Sequence, residues 1–327
     1  CKGLVRNVYS HIREKEEIHL KDGKIRILFC IDTLGGGGAE KLLIDILKRF
    51  DYDKYAVDLL VLFEKGIYFV DIPEEVSWFF PGSGKVKKRF YDIEIAFLEG
   101  VAVKYIAERD SAAVKIAWVH IDLYNFHWTK SFYKSDEHEY EVYQKMNKII
   151  FVTENIKRQF ERLFGGIHAE LLVIHNFIDQ SDLLKKSEGY KVSKRKFTLC
   201  SIGRLTPMKG YLSLIRTVHR LVDDGLDFDL WIVGEGEQRM VLEDLIQERS
   251  LSNIVFLQGF HKNPIPFLKE ADVFVSSSSV EGFSLVIGEA LCLGKPVVAT
   301  KNAGSEEVLD GGKYVMLMPP TNVRLLG

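Results

Sequence analysis

The sequence predicts an α/β fold built as two Rossmann-like domains, each a parallel sheet with helices on both faces. Three observations carry this expectation. A strand, a glycine loop and an amphipathic helix follow one another near the amino terminus, strand-length apolar runs then alternate with helical patterns, and the alternation starts afresh at Phe197. At 327 residues the chain is also too long for one compact core and fits two.

In the first domain the run Ile25 to Ile31 (IRILFCI) is apolar almost throughout, as a strand covered on both faces must be. After Gly35 to Gly38, the residues Leu42, Leu43, Ile46, Leu47 and Phe50 recur at helical spacing. Further strands are expected at Ala56 to Phe63, Ile93 to Phe97, Lys115 to Val119, Lys148 to Val152 and Leu171 to Ile174, with the clearest helices at Glu139 to Met146 and Glu154 to Phe164. The second domain reads as strand FTLCSIG, helix Tyr211 to Asp223, strand DLWIVG and helix Gln238 to Ser250. Strand NIVFLQG, a helical turn at Pro266 to Glu270, strand DVFVSSS, helix Ser284 to Leu293 and strand PVVAT complete it. Between the domains Asp182 to Lys196 is polar and lysine-rich, as a linker or exposed crossover is. The expected division is residues 1–178, a linker or hinge over 179–196, and 197–327. Asn176 and Asp179, good turn residues, belong to the hinge.

Charge excludes one class of function. Forty-four basic residues nearly cancel 46 acidic ones, so no global basic field exists to hold nucleic acid. Through Lys196 the chain carries 32 basic and 30 acidic residues, and beyond it 12 and 16, so neither part is strongly polarised. No apolar stretch approaches the ~20 residues of a bilayer span, and the charged amino terminus lacks the apolar centre of a signal peptide; a soluble or peripheral protein is expected. Cys1, Cys30, Cys200 and Cys292 show no paired or metal-ligand spacing, and they read as reduced core residues of a cytoplasmic protein. The chain opens on Cys1 and closes in KYVMLMPPTNVRLLG without a helical pattern, so one or both ends are expected to be missing.

Three loops carry the candidate chemistry. Leu34 to Glu40 (LGGGGAE) joins a strand to a helix, where backbone without side chains can approach a ligand beside free N–H groups, or can simply turn. Gly203 to Gly210 (GRLTPMKG) follows another strand and places Arg204 and Lys209 five residues apart, a pair suited to a diphosphate unless both are solvated surface charges. Glu281 to Glu289 (EGFSLVIGE) opens a helix whose first N–H groups, at Phe283, Ser284 and Leu285, form a second anion seat. Glu289 sits on the apolar helix that follows, where its carboxylate needs a partner: a pair of sugar hydroxyls, or a neighbouring backbone group. The D-x-D at Asp227-Phe228-Asp229 reads as a turn at a strand entry rather than a metal seat. In the first domain His120 follows the strand KIAWV, ahead of Tyr124, Phe126, His127, Trp128, Phe132 and Tyr133. His120 can be a ligand-contacting or a structural residue. The aromatic stretch can stack on sugars, pack in the core, or join Lys85, Lys87, Lys88 and Arg89 in a membrane-facing lip.

GGGGAE after the first strand, GRLTPMKG opening the second domain, and the E-x7-E of Glu281 and Glu289 together resemble the GT4 family of retaining glycosyltransferases with the GT-B fold. Gly234-Glu235-Gly236 and the segment Gly294 to Glu307 are similar to that family's second domain. The likeness is specific over about Ser201 to Glu307 and looser before it. It implies two Rossmann-like domains facing a central cleft, and a nucleotide-sugar donor whose diphosphate is neutralised by Arg204 and Lys209. It further implies ribose hydroxyls on Glu289, the donor sugar beside Glu281, phosphates approached by Gly37 and Gly38, and His120 beside the donor sugar and the acceptor. The implied reaction is metal-independent retaining transfer to a hydroxyl of a glycan or lipid-linked acceptor in cell-surface polysaccharide synthesis. Neither a metal nor another cofactor is expected, and peripheral contact with an anionic membrane at its inner face is. A catalytically silent nucleotide-sugar-binding subunit and a GT-B epimerase or phosphorylase are the alternatives. In that family the fold continues past the position of Gly312 through helices that return to the first domain, and no such pattern follows here.

Overall fold

The computed structural model of the protein describes residues 23–83, 89–312 and 316–318. The chain divides into two compact units, Cys1–Phe177 and Ile178–Gly327. Each is a parallel sheet with connecting helices.

The first unit has strands β1 (Ile25–Ile31), β2 (Tyr55–Val61), β3 (Ser77–Phe79), β4 (Ile93–Ala96), β5 (Val114–Val119), β6 (Lys148–Phe151) and β7 (Glu170–Val173). They lie in the order β3-β2-β1-β4-β5-β6-β7. Helices α1 (Gly38–Leu47), α2 (Val101–Ala107), α3 (Asp136–Gln144) and α4 (Glu154–Leu163) join them. β1 is central, with Ile25 opposite Tyr55 on β2 and Ile27 opposite Ile93 on β4, and its apolar sequence is buried from both faces. α1 buries Leu42, Leu43, Ile44, Ile46 and Leu47. Phe50, past the end of α1, completes the apolar face edge-on against Phe29 and Tyr55. Strand order reverses between β1 and β4, and a sheet of this kind opens a crevice at the carboxyl ends of such a pair. β3 escapes the sequence pattern because it is a three-residue edge strand with Ser77 and Trp78 exposed.

The second unit has strands β8 (Thr198–Ile202), β9 (Asp229–Val233), β10 (Val255–Gly259), β11 (Val273–Ser276), β12 (Val297–Thr300) and β13 (Met316–Met318), in the order β10-β9-β8-β11-β12-β13. Helices α5 (Gln180–Ser187), α6 (Tyr211–Asp223), α7 (Arg239–Glu248), α8 (Ile265–Glu270), α9 (Leu285–Cys292) and α10 (Ala303–Val308) accompany them. One core joins Tyr211, Ile215 and Val218 of α6 to Leu230 and Ile232 of β9 and Leu242 of α7. A second joins Leu183 to Ile265, Phe274, Ile287, Ala290 and Val297. Here the order reverses between β8 and β11.

The stretch 179–196 is more ordered than a linker. Asp179 caps α5 by accepting the Asp182 N–H at 3.0 Å, and Leu183 is buried in the second unit's core. The lysine-rich tail that looks like solvated chain is paired: Lys194 with Asp272, Arg195 with Asp229 and over the Phe256 ring, and Lys196 with Asp227. With Leu183 buried and its neighbour Leu184 exposed, the short helix α5 leaves no amphipathic signal to read. The same pairings involve the D-x-D. Asp229 is 1% exposed at the first position of β9 and is held by Arg195 at 3.0 Å, so both carboxylates are occupied by cations of the chain itself. Cys30 and Cys200 are buried free thiols, but Cys292 is exposed at the end of α9, which corrects its reading as a core residue; Cys1 lies outside the described residues.

Candidate functional site

At the reversal point of the second sheet two loops meet, one leaving β8 and one leaving β11. The β8 loop runs through Gly203 and Arg204 to a short turn over Pro207–Lys209, ending at Gly210 with φ +67°. A Cβ at Gly210 would stand 2.2 Å from the Ser277 carbonyl oxygen, so glycine is required by backbone sign and by space together. Arg204 is exposed, and its side chain makes no hydrogen bond or ion pair among the described residues. Lys209 is different. Its Nζ lies 2.5 Å from Glu281 Oε1 on the β11 side, and the Ser278 hydroxyl donates to the same oxygen at 2.7 Å.

The loops are stitched along their backbones as well. Ser277 Oγ donates to the Lys209 carbonyl at 2.7 Å, and the Ser279 N–H donates to the Met208 carbonyl at 2.8 Å. Behind them, Thr300 Oγ1 and Asn302 Nδ2 donate to the Ser278 carbonyl at 2.5 and 2.9 Å. Asn302 also forms a capping box with Ser305 at the start of α10. Past Glu281 the chain enters α9 through Ser284, its N-cap, which makes no side-chain capping bond. The first N–H groups of a helix have no intrahelical partner. Phe283 and Leu285 flank Ser284 half-buried, and Glu289 is 7% exposed among the buried residues Ile287, Gly288 and Ala290.

The first unit gathers a different set at the carboxyl ends of β1, β4 and β5. Asp32 follows β1 and accepts the Ala102 N–H at 3.0 Å. Glu99 follows β4, is 2% exposed, and accepts the His120 backbone N–H at 2.8 Å, while His120 itself follows β5. Burial pushes both carboxyls up to about 7, partly opposed by those backbone donors. Burial also pulls the His120 imidazole down to about 3, against a hydrogen bond to the Phe97 backbone, so the ring is neutral at pH 7. Its Nε2 is shielded from solvent and has no hydrogen-bond partner among the described residues, and the same holds for Trp118 Nε1. The His120 ring stacks parallel to Trp118 at 6.1 Å and packs on Phe97 at 4.8 Å. Beside this cluster Gly37 is the N-cap and Gly38 the first residue of α1.

Arg204, Lys209, Glu281, Phe283, Ser284, Leu285 and Glu289 thus share the second unit, with Lys209 and Glu281 in direct contact. Gly37, Gly38 and His120 share the first. Sequence reasoning missed Asp32, Glu99 and the serines 277–279. The usable signal for the carboxyls was a polar residue straight after a buried strand at a chain reversal, which needs the strand order. The aromatic stretch turns mostly inward. Trp118 and Tyr133 are buried, Tyr133 donates to the Gly100 carbonyl at 2.9 Å, and His127 and Thr129 hold the buried Glu139 at 2.7 and 2.6 Å, leaving Tyr124 half-exposed. Of the basic cluster, Arg89 bonds Asp58 at 2.6 Å, and Lys85, Lys87 and Lys88 lie outside the described residues. Among the described residues no three His, Cys, Asp or Glu side chains group as a metal site, and no helix is long and apolar enough to cross a membrane.

Residues 184–326 match the family described as glycosyl transferases group 1. The chain is 34% identical over 178 residues to the uncharacterized glycosyltransferase MJ1059 of Methanocaldococcus jannaschii, covering 52% of this chain and 44% of that protein. It is 34% identical over 151 residues to the N-acetylgalactosamine-N,N'-diacetylbacillosaminyl-diphospho-undecaprenol 4-alpha-N-acetylgalactosaminyltransferase of Campylobacter jejuni, covering 46% of this chain and 40% of that protein. The chain spans less than half the length of these curated relatives. Among solved structures, Anabaena Alr3699/HepE in complex with UDP-glucose superposes with a TM-score of 0.73 at 25% identity, covering 90% of this chain and 86% of that one. TarM of S. aureus superposes with a TM-score of 0.68 at 16% identity, covering 92% and 90%, a likeness of fold alone. The fold is that of GT-B glycosyltransferases.

Proposed function

We propose, from the match of residues 184–326 to the glycosyl transferases group 1, that the chain moves a sugar from a nucleoside-diphosphate sugar to a hydroxyl of a glycan or lipid-linked acceptor, with retention of configuration, in cell-surface polysaccharide synthesis. One observation carries this reading: an exposed, unpaired arginine stands at the reversal point of the second sheet, one loop away from a lysine–glutamate pair and a helix start. A guanidinium there meets a diphosphate with two parallel hydrogen bonds. The α9 N–H groups around Phe283, Ser284 and Leu285 take the remaining phosphate oxygens, and Glu289 takes the ribose hydroxyls.

In this reaction the hard step is departure of the diphosphate. Arg204 stabilises the charge that develops on it, and the departing phosphate accepts the proton of the attacking hydroxyl on the same face of the sugar, which preserves configuration. His120, neutral and with Nε2 as an unprotonated acceptor, suits a sugar hydroxyl better than a phosphate. The donor is a substrate, and no separate cofactor enters. The C. jejuni relative's name specifies an undecaprenol-linked substrate, and a membrane-borne acceptor of that kind is our expectation here. It places the working enzyme at the cytoplasmic face of the membrane.

The test begins with UDP-, GDP- and ADP-hexoses in a thermal-shift panel, since a ligand that binds the native state alone raises its melting temperature. The stabilising donor is then incubated with lipid-linked and soluble saccharides, and nucleotide release and product anomer are followed. Transfer with retention is expected, and turnover unchanged in EDTA, because Arg204 supplies the charge at the leaving group. Inversion, or EDTA loss restored by magnesium or manganese, contradicts the mechanism. No stabilisation by any donor contradicts the reading itself.

A further inference from the structure

Glu99 has no role in the chemistry above, yet its side chain is 2% exposed and collects N–H donors from three places. It accepts the His120 backbone N–H at 2.8 Å, the Trp128 indole N–H and its own backbone N–H. Local structure aims it there. Gly100, next in the chain, has φ +97°, and a Cβ on it would stand 3.2 Å from the Phe132 ring, so the chain turns sharply into α2 and leaves Glu99 directed at the end of β5. Residues 121–127 are slung between the two anchors of this one carboxylate and are cross-linked internally. Asp122 Oδ2 accepts from Asn125 Nδ2 at 2.6 Å, and the Asp122 carbonyl accepts the Phe126 N–H at 3.0 Å. Tyr124 and Asn125 stand exposed in the middle of that segment.

We propose that Glu99 is a positioning residue for sugar transfer: by holding the His120 backbone and the Trp128 indole together, its carboxylate sets the His120 ring and the exposed rim of Tyr124 and Asn125 as one rigid piece on the acceptor side. The proposal rests on the transfer reading given above. The His120 ring lies against Trp118 and Phe97 and donates one N–H to the Phe97 backbone, so its direction follows the backbone that Glu99 holds. Three N–H donors favour the ionised carboxylate, whereas a protonated carboxyl carries an O–H that must displace one of them. Burial opposes those donors and brings the group up to about 7, with Asp32 as its like-charged neighbour. The other titratable groups that face it, Tyr133, Tyr143 of α3 and the His120 ring, are kept uncharged at neutral pH by burial. The hold is therefore firm above about pH 7 and loosened below it.

Wild type, Glu99→Gln, Trp128→Phe and Asp32→Asn are compared by nucleotide release from UDP-, GDP- or ADP-glucose with a lipid-linked saccharide acceptor, from about pH 5.5 to about pH 9. Wild-type kcat should rise with pH through about 7. Glu99→Gln, which fixes the group in a neutral form, should lose that rise and run about tenfold slower at about pH 8, with the donor KM within about twofold of wild type. Trp128→Phe removes one donor to the ionised form and should move the midpoint up by about one pH unit, whereas Asp32→Asn removes the like charge and should move it down. Melting without ligand separates positioning from folding: at about pH 8 Glu99→Gln should melt no lower than wild type. A rise that persists unchanged in Glu99→Gln, or a loss of turnover matched by a loss of melting temperature, overturns the proposal. In protein labelled at tryptophan and observed by NMR without substrate, the indole signal missing from Trp128→Phe should titrate near pH 7 in wild type and stay fixed in Glu99→Gln. A signal that does not titrate in wild type also overturns the proposal. If wild type turns over no donor, the transfer reading fails, while the indole titration still decides whether Glu99 holds Trp128.

Discussion

The two reversal points of this molecule solve opposite problems. In the second unit Lys209 and Glu281 are partly exposed and paired with one another, and Arg204 stands exposed with no side-chain partner among the described residues. In the first unit the polar groups are buried, two carboxyls are driven towards the neutral form, and two ring nitrogens, His120 Nε2 and Trp118 Nε1, have no partner among the described residues. Charge near water suits a dianion that arrives and leaves, whereas desolvated neutral groups suit hydroxyls, which bind weakly unless water is excluded. On the proposed reading the same sheet topology serves an anion in one unit and a hydroxyl in the other.

The largest effect expected tests whether the second unit's loops need their close backbone approach. Gly234 has φ +151°, and a Cβ there would stand 2.0 Å from the Gly203 carbonyl oxygen. Gly234→Ala should therefore destabilise the native state by about 3 kcal/mol in denaturant unfolding. A loss below about 1 kcal/mol would mean that the β8 and β9 loops yield easily and that the site is not rigid.

The next tests the first unit's desolvation through pH. Asp32 and Glu99 have ordinary values of 3.8 and 4.5 and folded values of about 7, so the native state holds more protons than the unfolded chain between those limits. Their contribution is fully present below about pH 4 and is lost as pH rises through 7. His120, lowered to about 3, acts in the other direction, contributing above its ordinary value of 6.5 and losing it as pH falls towards 3. The double variant Asp32→Asn with Glu99→Gln should accordingly be more stable than wild type by about 2 kcal/mol at pH 8, with the gap closing at pH 4. A gap that is absent at pH 8 would show the two carboxyls to be well solvated and the contrast between the units to be false.

Smaller again is the ribose assignment. Glu289→Gln should weaken a ribonucleotide donor by about 1 kcal/mol and leave its 2′- and 3′-deoxy analogues nearly unaffected, because an amide cannot accept from both hydroxyls. Equal losses for ribo and deoxy ligands would make Glu289 structural.

How much of this was legible in the sequence follows from which interactions are local. Apolar runs located β1, β2 and β4 to β12, because strands covered on both faces are written as continuous hydrophobic segments, and the edge strand β7 still carries Leu171, Leu172 and Val173. β3 and α5 were hidden, since an exposed three-residue edge and a helix with Leu183 as its main anchor leave no periodic signal. Arg204, Lys209, Glu281 and Glu289 were found by motif. The contact between Lys209 and Glu281 was not, because it spans 72 positions and depends on β8 and β11 being neighbours. Asp32 and Glu99 were invisible for the same reason: a carboxylate after a strand is ordinary until the strand order buries it.

The account depends most on Arg204. Calorimetric titration of UDP-, GDP- and ADP-glucose into the whole chain and into Arg204→Ala tests it directly. One donor should bind the wild type saturably, and Arg204→Ala should lose about 1.5 to 3 kcal/mol of that affinity, the worth of a charge-assisted hydrogen bond. The same affinity in both proteins, or no binding of any donor to the wild type, would contradict it.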